Sequence, residues 1–166
     1  MKKIKVVLLT TKTTHHYYFI NQLIDFCELV VIEETKILKP NFEIFHKYEK
    51  QQNQFELKKW FIDKKLKLNK KIEIHKVKNI NQIKVVNIIK KFQPDLIFSY
   101  GVSKLSRDII KKIKKKIFNF HGGDINYYRG LDSHLWSLYH RDYKGMKVTL
   151  HEVESRLDTG KILMVK

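Results

Sequence analysis

In the stretch FNFHGGDINYYRGLDSHLW, Phe118 to Trp136, Asn119 and His121 are of a kind that does chemistry. They stand two apart, and on a strand such residues point to the same side. An amide and an imidazole side by side can hydrogen-bond one developing oxyanion. An imidazole can also hold or release a proton near neutral pH. Phe118 and Phe120 then point the other way and pack, while Gly122 and Gly123 let backbone come close to a ligand. The competing reading is a His and an Asn that satisfy loop backbone, and this stretch alone favours it. Further on, RLDTGKIL sets Asp158 in a turn-like Asp-Thr-Gly before a last apolar run. Taken singly that is an ordinary turn.

These residues need a frame, and the periodicity supplies one. KIKVVLLT reads as a buried first strand ending in a Thr-rich turn. HHYYFINQLIDF carries Phe19, Leu23 and Phe26 at helical spacing, with Ile20 and Ile24 beside them. CELVVIE reads as a second strand. Pro40 opens a polar segment with Phe42, Phe45, Tyr48, Leu57, Trp60 and Phe61, expected to form one or two amphipathic helices. KIEIHKV alternates like a strand, and Ile80, Ile83, Val86 and Ile89 form a helical stripe ending at Phe92. QPDLIFSYG gives Pro94, a strand and a glycine stop, and SKLSRDIIKKIKK, KIFNFHG, GLDSHLWSLYHRDY, GMKVTLHEV and KILMV then read as helix, strand, helix, strand and strand.

Such alternation implies an α/β domain with a mostly parallel, Rossmann-like sheet flanked by helices. Ligands of these sheets bind at the carboxyl ends of the strands. Three polar clusters fall there: TTKTTHH, SYGVSK and NFHGGD. The first strand is followed neither by G-x-G-x-x-G nor by a phosphate loop of the G-x-x-x-x-G-K-[ST] type. The expected organisation is one domain over residues 1–166.

The chain has 166 residues, 43% of them hydrophobic, enough to bury a core without staples. One cysteine, Cys27, excludes an internal disulfide and reads as a buried thiol. MKKIKVVLLT has too short an apolar run for a signal peptide, and nothing approaches a spanning helix, so a cytoplasmic location is expected, with no membrane partner. The formal net charge is +17. That field attracts polyanions in general. It is carried by lysines spread over many faces, with arginine only at 107, 129, 141 and 156, which is the pattern of a solvated surface. With no aromatic-basic module present, nucleic acid is not the expected partner.

The order of motifs is more telling than any one of them. NFH, then YRG, then GMKVTLH, then LDTG resembles the folate-dependent formyltransferases, a family that includes glycinamide ribonucleotide transformylase, methionyl-tRNA formyltransferase and sugar-nucleotide N-formyltransferases. The likeness is specific from about Phe118 to Leu163 and compatible upstream. It implies transfer of a formyl group from 10-formyltetrahydrofolate to a primary amine. Asn119 would then hydrogen-bond the formyl oxygen, His121 would stabilise the oxyanion and relay a proton, and Asp158 would orient His121 and help take the amine proton. By position in the family, Tyr100, Gly101, Val102, Glu154 and Leu157 would hold the folate. Residues expected on the acceptor side are Lys12, Thr13, Gly122, Gly123, Arg129 and His151. Lys12 and the threonines would bind phosphate at a helix start, unless TTKTTHH is only a capped turn. Arg129 is either a phosphate cation or a loop brace, and His151 either a supporting or a structural histidine. The implied partner is a phosphorylated or nucleotide-linked amine, with an amino sugar nucleotide preferred; a homodimer is left open.

The chain also departs from that family. Gly123 to Asn126 replaces a Ser-Leu-Leu-Pro loop, which puts substrate and activity in question. The chain stops soon after Leu-Asp-Thr-Gly, so a C-terminus truncated relative to the family is expected, and a missing tRNA-binding domain argues against methionyl-tRNA. Hydrolysis of formyltetrahydrofolate by water, and a folate- or nucleotide-binding module without turnover, are the competing functions. A metal site from His121, Asp124 and His134 matches no established ligand spacing.

Overall fold

The protein, seen in a computed structural model, is described over residues 3–36 and 47–166. Pro40, Phe42 and Phe45 of the expected amphipathic segment lie outside the described residues. The elements in chain order are β1 (Ile4–Thr11), α1 (Thr14–Leu23), β2 (Cys27–Glu34), α2 (Glu49–Trp60), β3 (Glu73–Val77), α3 (Ile83–Phe92) and β4 (Leu96–Tyr100). They continue with α4 (Arg107–Ile113), β5 (Ile117–His121), α5 (Ser133–Tyr139), a 3-10 turn (Tyr143–Gly145), β6 (Thr149–Glu152) and β7 (Ile162–Val165).

All seven strands join one sheet in the order β3-β2-β1-β4-β5-β6-β7. The first five strands pair in parallel, β6 pairs antiparallel with β5, and β7 pairs antiparallel with β6. The chain leaves β1 toward β2 and β3, then returns to the other side of β1 with β4. That reversal opens a crevice at the carboxyl ends of β1 and β4, where ligands of such sheets bind.

Alternation along the central strands feeds two cores. Val7, Leu9, Val30, Ile32, Ile97 and Ile117 face α3 and α4. Val6, Leu8, Leu29 and Val31 face α1, with Tyr17, Ile20 and Ile24 packed on them. Strands buried on both faces read as continuous apolar runs, as KIKVVLLT does. The helix stripes shift slightly from the expected ones. In α1 the inward face is centred on Ile20, and Phe26, past the helix end, is 79% exposed. In α3 the core residues are Val85, Val86 and Ile89, while Ile83 at the first turn is exposed. Around α2, Phe61 is buried and Trp60 stacks on Tyr18 at 4.9 Å, but Tyr48 and Phe55 are exposed and the buried helical residue is Glu56. No helix among the described residues is long and apolar enough to cross a membrane.

Candidate active site

β5 carries the centre. Ile117, Asn119 and His121 share the face that looks toward α3 and α4, and Ile117 anchors that face in the core. Phe118 and Phe120 take the opposite face, where they meet Phe98, and Phe120 also meets Phe19 and Tyr100. The aromatic side thus fixes the strand so that the polar side must face the crevice.

The loop after β6 brings in Asp158. Gly160 permits this: a Cβ there would lie 1.8 Å from the Glu152 carbonyl oxygen, so only glycine lets the loop run so close to β6. The Asp158 carboxylate accepts the Gly130 N–H at 2.8 Å through Oδ2. The same oxygen lies 3.5 Å from His121 Nδ1, and Oδ1 lies 3.5 Å from His151 Nε2. All three side chains are more than nine-tenths buried. Burial opposes ionisation of Asp158, but the two histidines and the Gly130 N–H outweigh it and hold the carboxyl below its ordinary range.

The ring assignments follow from the partners. His121 Nε2 lies 2.8 Å from the Tyr128 carbonyl oxygen, so that nitrogen carries a proton and donates it. Nδ1, facing Asp158, is therefore the atom free to gain or lose a proton. His151 Nδ1 lies 2.8 Å from the Glu152 carbonyl oxygen and likewise donates.

The loop Gly123 to Asn126 is a closed, self-bonded turn. The Asp124 carbonyl accepts from the Tyr127 and Tyr128 N–H groups, and its carboxylate takes the Asn126 N–H at 3.0 Å and Lys147 Nζ at 2.9 Å. Thr149 Oγ1 donates to the Gly123 carbonyl at 2.7 Å. The turn thereby delivers the Tyr128 carbonyl to His121. Asp124 is spent on this, and no group of three metal-ligating side chains stands among the described residues.

A cleft of about 610 Å³ lies against these groups. It is lined by all of Asn119, His121 and Asp158, by Tyr100, Gly101, Val102, Glu154 and Leu157, and by Thr13, Gly122 and His151. Three residues expected at the ligand lie elsewhere. Lys12 rests with its Nζ 5.8 Å from the centre of the Tyr17 ring. Arg129 Nε donates to the Ile125 carbonyl at 2.6 Å, the brace of the two alternatives. Gly123 packs under α5, where a Cβ would come within 2.8 Å of Ser133 Cβ. The threonines of TTKTTHH are also engaged: Thr10 donates to the Tyr100 carbonyl, Thr11 bonds His16, and Thr13 caps α1 by accepting the His16 N–H. The cleft in turn holds Arg156, His134, weighed from the sequence only as a metal ligand, and His15, His16 and Lys104, which the sequence places in polar clusters at the strand ends without a role of their own. Their place in the cleft comes from the tertiary arrangement.

The family model described as formyl transferase matches residues 34–166. The chain belongs to this formyl transferase family. Its members' formyl donor is 10-formyltetrahydrofolate. The chain is 41% identical over 76 residues to the bifunctional polymyxin resistance protein ArnA of Wigglesworthia glossinidia brevipalpis, a match covering 45% of this chain and 12% of that protein. It therefore spans a small part of that curated relative's length. Among solved structures it is similar to phosphoribosylglycinamide formyltransferase of Anaplasma phagocytophilum, with TM-score 0.64, 19% identity, and 99% of this chain and 71% of that one covered. It is also similar to a candidate sugar N-formyltransferase of Mycobacterium tuberculosis, with TM-score 0.59, 17% identity, and 98% and 53% covered. A formyltetrahydrofolate deformylase of Pseudomonas syringae pv. tomato matches at TM-score 0.63 and 16% identity, with 99% and 51% covered. At these identities the structures speak for the fold.

Proposed function

We propose that the chain transfers a formyl group from 10-formyltetrahydrofolate to a primary amine, with an amino sugar nucleotide as the preferred acceptor. The observation that carries this reading is the meeting of Asn119, His121 and Asp158 on one wall of one cleft. The cleft suits the donor. Its volume of about 610 Å³ lies in the range of small-molecule sites. Val102, Leu105, Val153 and Leu157 give apolar walls, and the buried Ser103 hydroxyl in the lining has no protein partner among the described residues, which leaves a polar atom for a bound pterin. When bound, the folate supplies an activated formyl carbon on a nitrogen that departs with a proton.

The residues then divide the work. Asn119 Nδ2 and protonated His121 Nδ1 donate toward the formyl oxygen, where negative charge gathers as the amine attacks. These donors are held in place before reaction, Asn119 by its strand and His121 by the Tyr128 carbonyl. Asp158 balances the charge on His121 and receives the proton the amine must lose, directly or through one water, while His121 passes a proton to the departing folate nitrogen as the C–N bond breaks and regains one from Asp158. No covalent enzyme intermediate is required, since the amine is itself the nucleophile. Lys104 and Arg156 give the cleft cations for anionic groups on the ligands. The sugar acceptor is compatible with the fold shared with the candidate sugar N-formyltransferase.

The test is consumption of 10-formyltetrahydrofolate with a panel of amino sugar nucleotides, each against an amine-free control. Amine-dependent turnover supports the transferase. Equal consumption in the control would replace it with hydrolysis, and folate binding without consumption would replace it with a binding module.

A further inference from the structure

The face of β5 that carries Asn119 is paired, residue for residue, with β4, and the register sets Ser99 opposite Asn119. Ser99 is 1% exposed, and its Oγ lies 2.8 Å from Asn119 Oδ1. On the other side, Asn119 Nδ2 lies 3.2 Å from His151 Nε2, and β6 sets His151 opposite Asn119 in turn. The three side chains form one row across three strands.

An amide can sit in a site like this in two orientations, related by a half-turn that exchanges oxygen and nitrogen. They are opposite in chemistry, because one puts an N–H toward the cleft and the other puts a carbonyl oxygen there. A serine hydroxyl alone does not choose, since it can donate or accept. The choice is made at the far end of the row. The Glu152 carbonyl requires a proton on His151 Nδ1. In the neutral ring that leaves Nε2 as an acceptor, to which Asn119 presents Nδ2, with Oδ1 to Ser99; Asp158 Oδ1, 3.5 Å from the same Nε2, is the group that would draw a proton onto it and reverse the row. Ser99 must then donate. The polarity runs one way along the row, from the Ser99 hydroxyl through the Asn119 amide and the His151 ring to the Glu152 carbonyl, and the second Nδ2 proton of Asn119 is left for the cleft.

We propose that Ser99 and His151 are positioning residues that lock the Asn119 amide with its N–H toward the reacting oxygen. The inference rests on the transferase reading for its kinetic consequence but not for its structure. Without the Ser99 hydroxyl, Asn119 Oδ1 faces the buried position of residue 99 with no donor, and the half-turn that carries it toward the polar cleft becomes competitive.

The experiment pairs kinetics with a measurement that needs no turnover. Loss of a preorganised oxyanion donor itself costs roughly 10²–10³ in kcat. Ser99→Ala, which loosens such a donor, is expected to lower kcat by roughly 10- to 100-fold with KM for folate and amine within about twofold, and Ser99→Thr, which restores a hydroxyl, to recover most of it. A buried serine that merely packs would lower stability and leave that split unmoved. In parallel, a long-range 15N–1H spectrum of the wild type should show His151 as the Nδ1–H tautomer with an unprotonated Nε2. The opposite tautomer, or a Ser99→Ala enzyme with wild-type kcat, overturns the proposal. If no amine is formylated at all, the spectrum still decides the row, and the transferase reading fails separately.

Discussion

Acid should weaken this fold through one buried histidine. His16 is 4% exposed beneath Gly101, with its ring 4.2 Å from Tyr100 and its Nδ1 2.9 Å from the Thr11 hydroxyl. Burial first, and the neighbouring His15 second, push its imidazole down from 6.5 to about 3, against a smaller opposing effect of Thr11. In the unfolded chain the ring titrates near 6.5. Between the two values the unfolded chain holds a proton that the folded chain does not, so stability rises with pH across that window and is lost as pH falls through it. One unit is worth about 1.4 kcal/mol. Going from pH 7 to pH 5 therefore removes roughly 2 kcal/mol through His16, with a few more lost toward pH 3. Urea unfolding of the wild type and His16→Gln at pH 7, 6 and 5 measures this. Glutamine keeps a polar group for Thr11 but cannot be protonated, and the remaining histidines cancel in the difference. Stability of the variant should fall by roughly 2 kcal/mol less over this range. Equal losses in the two proteins would refute the reasoning. Stopping at pH 5 stays above the range in which carboxylates such as Asp158 gain protons.

The site makes two further predictions. Asp158→Asn keeps an acceptor for the Gly130 N–H but loses the charge beside His121, so kcat should fall by about 10²-fold or more while circular dichroism and folate binding by fluorescence stay intact. Because its carboxyl is held low, the wild-type Asp158 contributes stability that is present above about pH 4 and lost as pH falls below it, and the variant should show a flatter acid limb there. Gly160→Ala would set a Cβ 1.8 Å from the Glu152 carbonyl oxygen. It should cost roughly 3 kcal/mol in urea unfolding, and activity should fall with it, because the loop that carries Asp158 must lift from β6.

What the sequence made legible was whatever depends on local period and on motif order. Alternation placed Asn119 and His121 on one face and Phe118 and Phe120 on the other, and the structure has them so. The β1–β4 reversal could not be read from period, yet the polar clusters at the strand ends already marked where it opens. The misplacements have a common cause. Lys12 and Arg129 are expected at a phosphate for their charge and Gly123 at a ligand for its bare backbone, whereas each is engaged by its own loop or helix. Ser99 and the Tyr128 carbonyl escaped because their meaning lies in strand register and in the closure of one turn. Phe26 and Ile83 fit a helical spacing but fall outside the buried arc, which tertiary packing alone defines.

The central claim is that His121 works on a formyl group during transfer to an amine. The most direct measurement is amine-dependent consumption of 10-formyltetrahydrofolate by the wild type beside His121→Ala, with folate binding measured for both. Amine-dependent turnover in the wild type that falls by at least about 10²-fold in the variant, with folate still bound, is the predicted result. Turnover that survives the substitution, or no folate binding by the wild type, would contradict the account.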